Sequence, residues 1–529
     1  MGAREPVLIE GRWQASRDSG GEFRAFDPTR AVAFGPAFPI SGARDVEAAL
    51  ASASAAADQL AACEPERIAD FFDAYALGIE HDAPDLVALA HLETALAIEP
   101  RLAKVELPRT TGQLRQAARA VRERSWTQPV IDTAAGLRSH LAPLHKPVLI
   151  FGPNNFPFAF NAVAGSDFAS AIAARNPVIA KVHPSHPATS QRLAELAHRA
   201  LVEAGLPATA LQVLYHLDPA LGLSLAGDAR LGALAFTGSR NAGLALKAAA
   251  DAAGVPAYLE LSSINPVFML DGALRERGAA LAQEFFASCT MGAGQFCTNP
   301  GVVVVPRSAH GDAFVEAAAA LFAQAGEGVL FSQGGRDHYQ AASARWREAG
   351  ATLIGGGEAA SGEGYRVRPA LWSVDAEQFI ADARLRGEVF GPASLIVRTR
   401  DDYHDTIAIA RALEGNLTAT IYAAADDAYV QGALAAQVRP RVGRLIGNRM
   451  PTGVAVSAAM NHGGPYPSTG HPGFTSVGLP AAIRRFAALH CYDQIEESLL
   501  PAELRDRNPG GIARCIDGRW TTDDIGAKP

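Results

Sequence analysis

The sequence predicts an α/β protein in which parallel sheets carry helices on both faces. Three observations predict it. Short apolar runs at residues 147–151, 178–182, 211–215 and 232–236 have the length of strands and alternate with amphipathic stretches. The first run ends in a Gly152-Pro153 turn ahead of a helical pattern over 158–174, the punctuation of a strand–turn–helix unit. Finally, 529 residues exceed what one hydrophobic core usually holds, so two or three domains are expected.

Composition narrows the function classes. With 48% hydrophobic and 19% charged residues, the chain has a globular composition and not a disordered one. A net charge of -8 argues against a nucleic-acid partner and against a membrane-surface protein. No apolar run approaches the roughly 18 residues of a membrane helix. The start, with Arg4, Glu5 and Pro6, lacks a signal-peptide core and a myristoylation signal, so a cytoplasmic location is the expectation. The five cysteines are odd in number, scattered and without a CxxC pair, so neither a disulfide framework nor a zinc site is expected.

In chain order, residues 8–13 and 23–28 read as two short strands joined by a polar Gly-Gly turn. Residues 41–90 turn helical, with Ser41 as N-cap and breaks at Glu64-Pro65 and Ala83-Pro84. A further helix runs from Arg109 to Arg124, followed by strand-like residues 125–144. The strand at 178–182 leads into a helix over 190–204. Later come a helix over 403–414, a strand over 417–422 and an apolar run at 444–448. The Gly/Pro/Ser-rich stretch 451–478 is too long for an ordinary connection and is expected to line a site.

The stretch 285–301 organises the rest. Gly292 and Gly294 allow close backbone approach, Asn299-Pro300-Gly301 signals a turn, and Cys297 stands between them ahead of an apolar strand. A thiol on such a loop suits a nucleophile, because nearby backbone N–H groups stabilise a thiolate and the oxyanion formed on attack. A free cysteine is more often a small buried hydrophobe.

Gly294-Gln295-Phe296-Cys297 resembles the nucleophile motif of the aldehyde dehydrogenase superfamily, and motifs over residues 8–489 carry the likeness further. The resemblance implies two doubly wound α/β domains plus a small β oligomerisation arm. It divides the chain into a cofactor-binding domain (1–124 and 145–262), a catalytic domain (263–480) and an arm (125–144 and 481–529). Asn155, before Phe156-Pro157, would supply an amide N–H to the oxyanion; asparagine there also suits an Asx turn. Glu260, in Glu-Leu-Ser-Ser, would activate the water that hydrolyses a thioester on Cys297. Its apolar neighbours are expected to raise its pKa toward a general base. Because that glutamate is present, hydrolysis is favoured over transfer to coenzyme A.

The cofactor residues follow from the same likeness. Lys181 would reach the dinucleotide beyond its strand, and Gly238, Ser239, Arg240 and Gly243 in the Phe-Thr-Gly-Ser loop would meet the pyrophosphate at a helix start. Glu388 would hold the nicotinamide ribose with Phe390 nearby. Many NAD-using members carry a glutamate three residues after this lysine; here the position is Pro184. Without that anion a 2′-phosphate meets less repulsion, so NADP is expected, with NAD possible and Lys181, Ser185 and Arg240 as neighbours. His183 and His186 lack a supporting ligand cluster and are read as loop residues, so no metal is expected.

The runs around Ser262-Ser263, His183-Pro184 and Asn461-His462 look most similar to those of the 2,5-dioxovalerate (α-ketoglutarate semialdehyde) dehydrogenases. The expected reaction is oxidation of that aldehyde to 2-oxoglutarate. Alternatives are an NADP-dependent fatty or medium-chain aldehyde dehydrogenase and a non-catalytic binding or structural member. Arg109 is the expected carboxylate contact, with Phe156, Phe296 and Phe474 lining the substrate tunnel. The partners expected are a small aldehyde and further copies of the chain, as a homodimer or homotetramer.

Overall fold

The computed structural model describes residues 4–400 and 403–526, so the outer domain limits expected at residues 1 and 529 lie outside the described residues. Two seven-stranded sheets and a five-stranded one dominate. In the first large sheet, Ala257–Glu260, Ala233–Thr237, Val148–Phe151, Val178–Lys181 and Leu211–Leu214 run parallel in that spatial order. The hairpin Val7–Ile9 with Arg12–Gln14 completes it antiparallel. Val148–Phe151 comes first in the chain among the parallel strands yet lies at their middle. Later strands add on both sides of it, and the order reverses between it and Ala233–Thr237. In such sheets ligands bind beyond the strand carboxyl ends at that switch point.

The second large sheet contains Val267–Met269 and Val302–Pro306 side by side, with Ala393–Thr399, Ala370–Asp375, Asn416–Tyr422 and Val442–Gly447 all parallel. Its strands Val302–Pro306, Ala393–Thr399 and Asn416–Tyr422 are buried along their whole length, as a helix-covered parallel sheet requires. Distinct hydrophobic clusters flank its two faces, and a separate, larger cluster surrounds the first sheet.

The third sheet is the arm, ordered Ala487–Asp493, Leu137–Pro143, Val130–Asp132, Arg514–Ile516 and Arg519–Thr521. The chain's last strands close one edge of it: Cys515 and Ile516 pair in parallel with Val130 and Ile131. This gives the C-terminal stretch, which has no motif of its own, a structural place.

Several elements differ from the sequence reading. The two N-terminal strands do not pair with each other; Gly21–Asp27 pairs with Val32–Ser41 in a smaller sheet. The helix expected over 158–174 is confined to Ser166–Ala173. Glu106 accepts from the N–H groups of Phe158 and Ala159, and Gln113 donates to the Ala159 carbonyl, so outside side chains hold this stretch in turns. Helix Ala43–Ala61 is capped by Gly42 and not by Ser41. Glu64-Pro65 and Ala83-Pro84 do start new helices, since proline at the first helical turn removes only an N–H that has no partner there. No helix among the described residues is long and apolar enough to cross a membrane.

Candidate active site

Cys297 lies on the loop before Val302–Pro306. The chain reaches it through a tight left-handed passage, with φ of +55°, +54° and +68° at Gly292, Ala293 and Gly294. At Gly294 any side chain is excluded: a Cβ would stand 2.2 Å from the backbone of Gly391. Asn265, itself at φ +45°, fixes the loop from below by donating to the carbonyls of Cys297 at 2.8 Å and Asn299 at 2.9 Å. Asn155, carried on the loop after Val148–Phe151, donates through Nδ2 to the Gln295 carbonyl at 3.0 Å. The two loops expected to share an oxyanion are therefore joined directly.

Around the sulfur the structure assembles a cluster that the sequence reading only partly named. Nε2 of His462 stands 3.4 Å from Cys297 Sγ and 2.8 Å from Glu260 Oε1. Ser476 donates to the other Glu260 oxygen at 2.9 Å. His462 and Ser476 both come from the Gly/Pro-rich stretch, and Thr475 accepts from the His462 N–H at 3.0 Å. Glu260 and His462 are 2% and 1% exposed, so their partners here are one another and not solvent.

The expected rise in the Glu260 pKa is corrected. Burial does push it up, but the imidazole of His462 and the hydrogen bonds from His462, Ser476 and the Cys297 thiol outweigh burial and hold it below the ordinary value. Glu260 thus rests as a carboxylate, able to accept a proton. Cys297 shifts the other way: burial first, then the Glu260 charge, push its thiol well above the ordinary value. A neutral thiol beside a buried carboxylate is a proton donor beside its acceptor.

Beside these groups lies a buried hydrophobic cluster that includes Phe156, Phe160, Phe296 and Val477. Phe296, Arg101, Phe156, Arg109 and Phe160 alternate ring and guanidinium, at successive distances of 5.2, 4.5, 5.4 and 5.0 Å. Arg101 has bonds to spend, pairing with Glu106 and donating to the Asn155 carbonyl at 3.1 Å. Arg109 does not: its Nε and Nη2 are buried without a hydrogen-bond partner. Burial lowers its pKa, against the carboxylates of Glu106 and Glu260. Phe156 and Phe296 lie together in this cluster. Phe474 lies outside it; it is 2% exposed and stacks on Tyr258 with Arg485 over its ring.

On the cofactor side, helix Arg240–Ala252 begins at Ser239 without a side-chain cap, leaving first-turn N–H groups for a ligand. A Cβ on Gly243 would stand 2.3 Å from Leu261, and one on Gly238 2.7 Å from the Phe236 ring, so both glycines permit this helix start to pack on the sheet. Glu388 lines the same groove as Ser262, Ser263 and Arg240. Burial raises its pKa, opposed by the Ser262 hydroxyl and the Ser263 N–H. The Ser262 hydroxyl and the Ser263 backbone N–H therefore orient this glutamate. Phe390 lines the adjoining hollow with Glu388 and Phe296. The uncapped helix and the oriented carboxylate fit a dinucleotide.

Lys181 closes its strand with no ion-pair partner among the described residues, and burial pushes its ammonium down to about 8. His183, His186 and His216 are the titratable groups that feel it. Ser185 follows on the same turn, its N–H donating to His183 Nδ1 at 3.1 Å. Arg240 opens helix Arg240–Ala252, is paired with Glu414 at 3.0 Å and lines the Glu388 groove.

Glu106, Arg101, Asn265, His462 and Ser476 were not named from sequence as site residues. Asn265 follows closely on the Ser262-Ser263 run and His462 stands in the Asn461-His462 run, both of which carry the resemblance, and these were the available signals. Ser476 lies in a stretch without periodicity.

Comparison with known proteins agrees with this geometry. The chain matches the aldehyde dehydrogenase family over residues 13–481. It is 40% identical over 518 residues to "Alpha-ketoglutaric semialdehyde dehydrogenase 2" of Azospirillum brasilense, covering 96% of this chain and 98% of that one. It is 36% identical to the "Alpha-ketoglutaric semialdehyde dehydrogenase" of Acinetobacter baylyi, covering 86% and 87%. The same fold is seen in the NAD+ complex of an aldehyde dehydrogenase from Bacillus cereus, with a TM-score of 0.79 at 20% identity, covering 93% of this chain and 96% of that one. Matched through most of its length by the family and by a relative of this similarity, the chain belongs to the aldehyde dehydrogenase family and is an NAD(P)-dependent oxidoreductase acting on the aldehyde group.

Proposed function

We propose that the enzyme oxidises 2,5-dioxovalerate to 2-oxoglutarate through a thiohemiacetal and a thioester on Cys297, with NADP as preferred cofactor. The observation that carries the substrate is Arg109, whose two buried donors lack a partner within electrostatic reach of the nucleophile. An arginine left so is costly unless a ligand completes it, and a carboxylate accepts both N–H groups side by side. The two semialdehyde dehydrogenases among the relatives support the same reading.

In this reading the Cys297 thiol passes its proton to Glu260 as sulfur bonds to the aldehyde carbon. The Asn155 amide and the Cys297 backbone N–H stabilise the oxyanion. When bound, the nicotinamide supplies the hydride acceptor, and Glu388 with Phe390 would hold its ribose end. Once Glu260 has released the first proton, with His462 beside it, the carboxylate takes a second from water. That water attacks the thioester, acid leaves and the thiol is restored. Lys181 and Ser185 are assigned to the 2′-phosphate, and Gly238, Ser239 and Gly243 to the pyrophosphate. We assign residues 1–124 and 145–262 to cofactor binding and 263–480 to catalysis. Residues 125–144 with 481–529 join two or four copies.

The test is a panel of 2,5-dioxovalerate, succinic semialdehyde and hexanal, each with NADP and with NAD, followed by absorbance of the reduced cofactor. The highest kcat/KM is expected for 2,5-dioxovalerate with NADP. Hexanal turned over as efficiently would favour the fatty-aldehyde reading, and a coenzyme A-dependent product the acylating one. No reduction with any aldehyde would leave a binding protein.

A further inference from the structure

Among the described residues one group of metal-ligating side chains converges: Glu260, Cys297 and His462, whose ligand atoms all lie within 4.8 Å of one another. A tetrahedral zinc ion with ligand distances of about 2.0 to 2.3 Å holds a sulfur and a nitrogen about 3.5 Å apart, and a nitrogen and an oxygen about 3.3 Å apart. Sγ and Nε2 already stand at 3.4 Å. Nε2 and Oε1, at 2.8 Å, need only a small opening. One thiolate, one imidazole and one carboxylate suit zinc and not magnesium or calcium, which select oxygen.

The surroundings support the donors as well. Ser476 holds the other Glu260 oxygen at 2.9 Å, and Thr475 holds the His462 backbone at 3.0 Å, so two of the three ligands are oriented beforehand. Thiolate and carboxylate would together neutralise the dication in a buried place. The Arg109 guanidinium, within electrostatic reach of both, works against it. Affinity weaker than that of structural zinc sites follows.

We propose that Glu260, Cys297 and His462 form a Zn2+ site, and that a filled site holds the enzyme inactive. On binding, the thiol proton leaves to solvent and the imidazole proton moves from Nε2 to Nδ1, freeing both lone pairs for the metal. One proton is released per ion and no electron is transferred. Binding follows from the geometry alone, whereas inactivation rests on the reading of Cys297 as nucleophile.

Equilibrium dialysis of the full chain against Zn2+, and titration with Co2+ followed by its spectrum, test the site. One ion per chain is expected, with a sulfur-to-cobalt charge-transfer band. Cys297→Ala should abolish the band, and both Cys297→Ala and His462→Gln should weaken zinc binding by at least about 10- to 100-fold. Cys491→Ser, which removes an exposed thiol outside the cluster, should change neither. Circular dichroism establishes that each variant is folded. The site is overturned if no zinc is retained, or if Cys297→Ala or His462→Gln retains it equally. Zinc bound at these residues with aldehyde oxidation unimpaired overturns the inactivation alone. Zinc bound in a protein that oxidises no aldehyde overturns the nucleophile reading and leaves the site standing.

Discussion

Glu260, His462 and Ser476 are tied to one another by hydrogen bonds of 2.8 and 2.9 Å, while Arg109, against the rings of Phe156 and Phe160, has two buried donors with nothing to bond. The Lys181 turn resembles Arg109, with a buried ammonium and three histidines around it. The difference separates two tasks. Groups that move protons are fixed beforehand by each other, because a proton transfer tolerates little error in distance. Groups that recognise charge are left incomplete, so that the ligand supplies the missing partner. Breaking the first kind should therefore cost turnover, and breaking the second should cost affinity.

The largest effects are expected at the paired centre. Cys297→Ser should lower kcat on the order of 10³-fold or more without loss of folding, measured by steady-state cofactor reduction. Glu260→Gln should lower steady-state turnover about 10²-fold or more and should slow the single-turnover burst of reduced cofactor as well, since Glu260 takes the thiol proton before it directs water to the thioester. A burst of unchanged rate would contradict its part in acylation. His462→Ala probes the same centre through pH. With the imidazole gone, burial is no longer outweighed at Glu260, so its pKa should rise. The acid limb of kcat/KM should move to higher pH, and a limb that stays in place would show that His462 does not set the charge of Glu260.

Arg109→Ala tests the incomplete kind. KM for 2,5-dioxovalerate should rise about 10- to 100-fold, the worth of a charge-assisted hydrogen-bond pair, with kcat much less affected. Hexanal, which has no carboxylate, should show little change. Equal losses on both aldehydes would make Arg109 a support of the pocket wall and nothing more.

What could be read from the sequence follows the same division. The parallel strands were legible because each is a short apolar run closed by a Gly or Pro turn. Cys297, Asn155 and Glu388 were legible because each sits in a local motif. Glu260 was legible in position but not in charge, since the group that lowers its pKa arrives from a loop some two hundred residues later, with Ser476 beside it at a separation of 216 residues. His462 is 165 residues from Cys297 in a stretch without periodicity, so no local pattern could link them. Arg240 looked free until Glu414 was brought beside it at 3.0 Å. Phe474 looked like a tunnel residue because it lies in the Gly/Pro/Ser-rich stretch expected to line a site, yet it packs against Tyr258 and under the Arg485 guanidinium.

The Lys181 turn offers the smallest effect and the most direct contrast with the centre. Burial holds its ammonium at about 8, below the ordinary value of 10.5, so above about pH 8 the free enzyme carries a neutral amine there. A 2′-phosphate binds the charged form, and so binding above that pH must take up a proton. The dissociation constant for NADP should then rise by up to about tenfold per pH unit between 8 and 10, measured by fluorescence titration. Calorimetry in buffers of different ionisation enthalpy should register the proton uptake at pH 9 and none at pH 6.5. NAD, without the extra phosphate, should show a shallower slope, and Lys181→Met should flatten the NADP slope to match it. If the two cofactors keep equal slopes in the wild type, Lys181 does not face the 2′ position, and the basis for preferring NADP reduces to the missing carboxylate at Pro184.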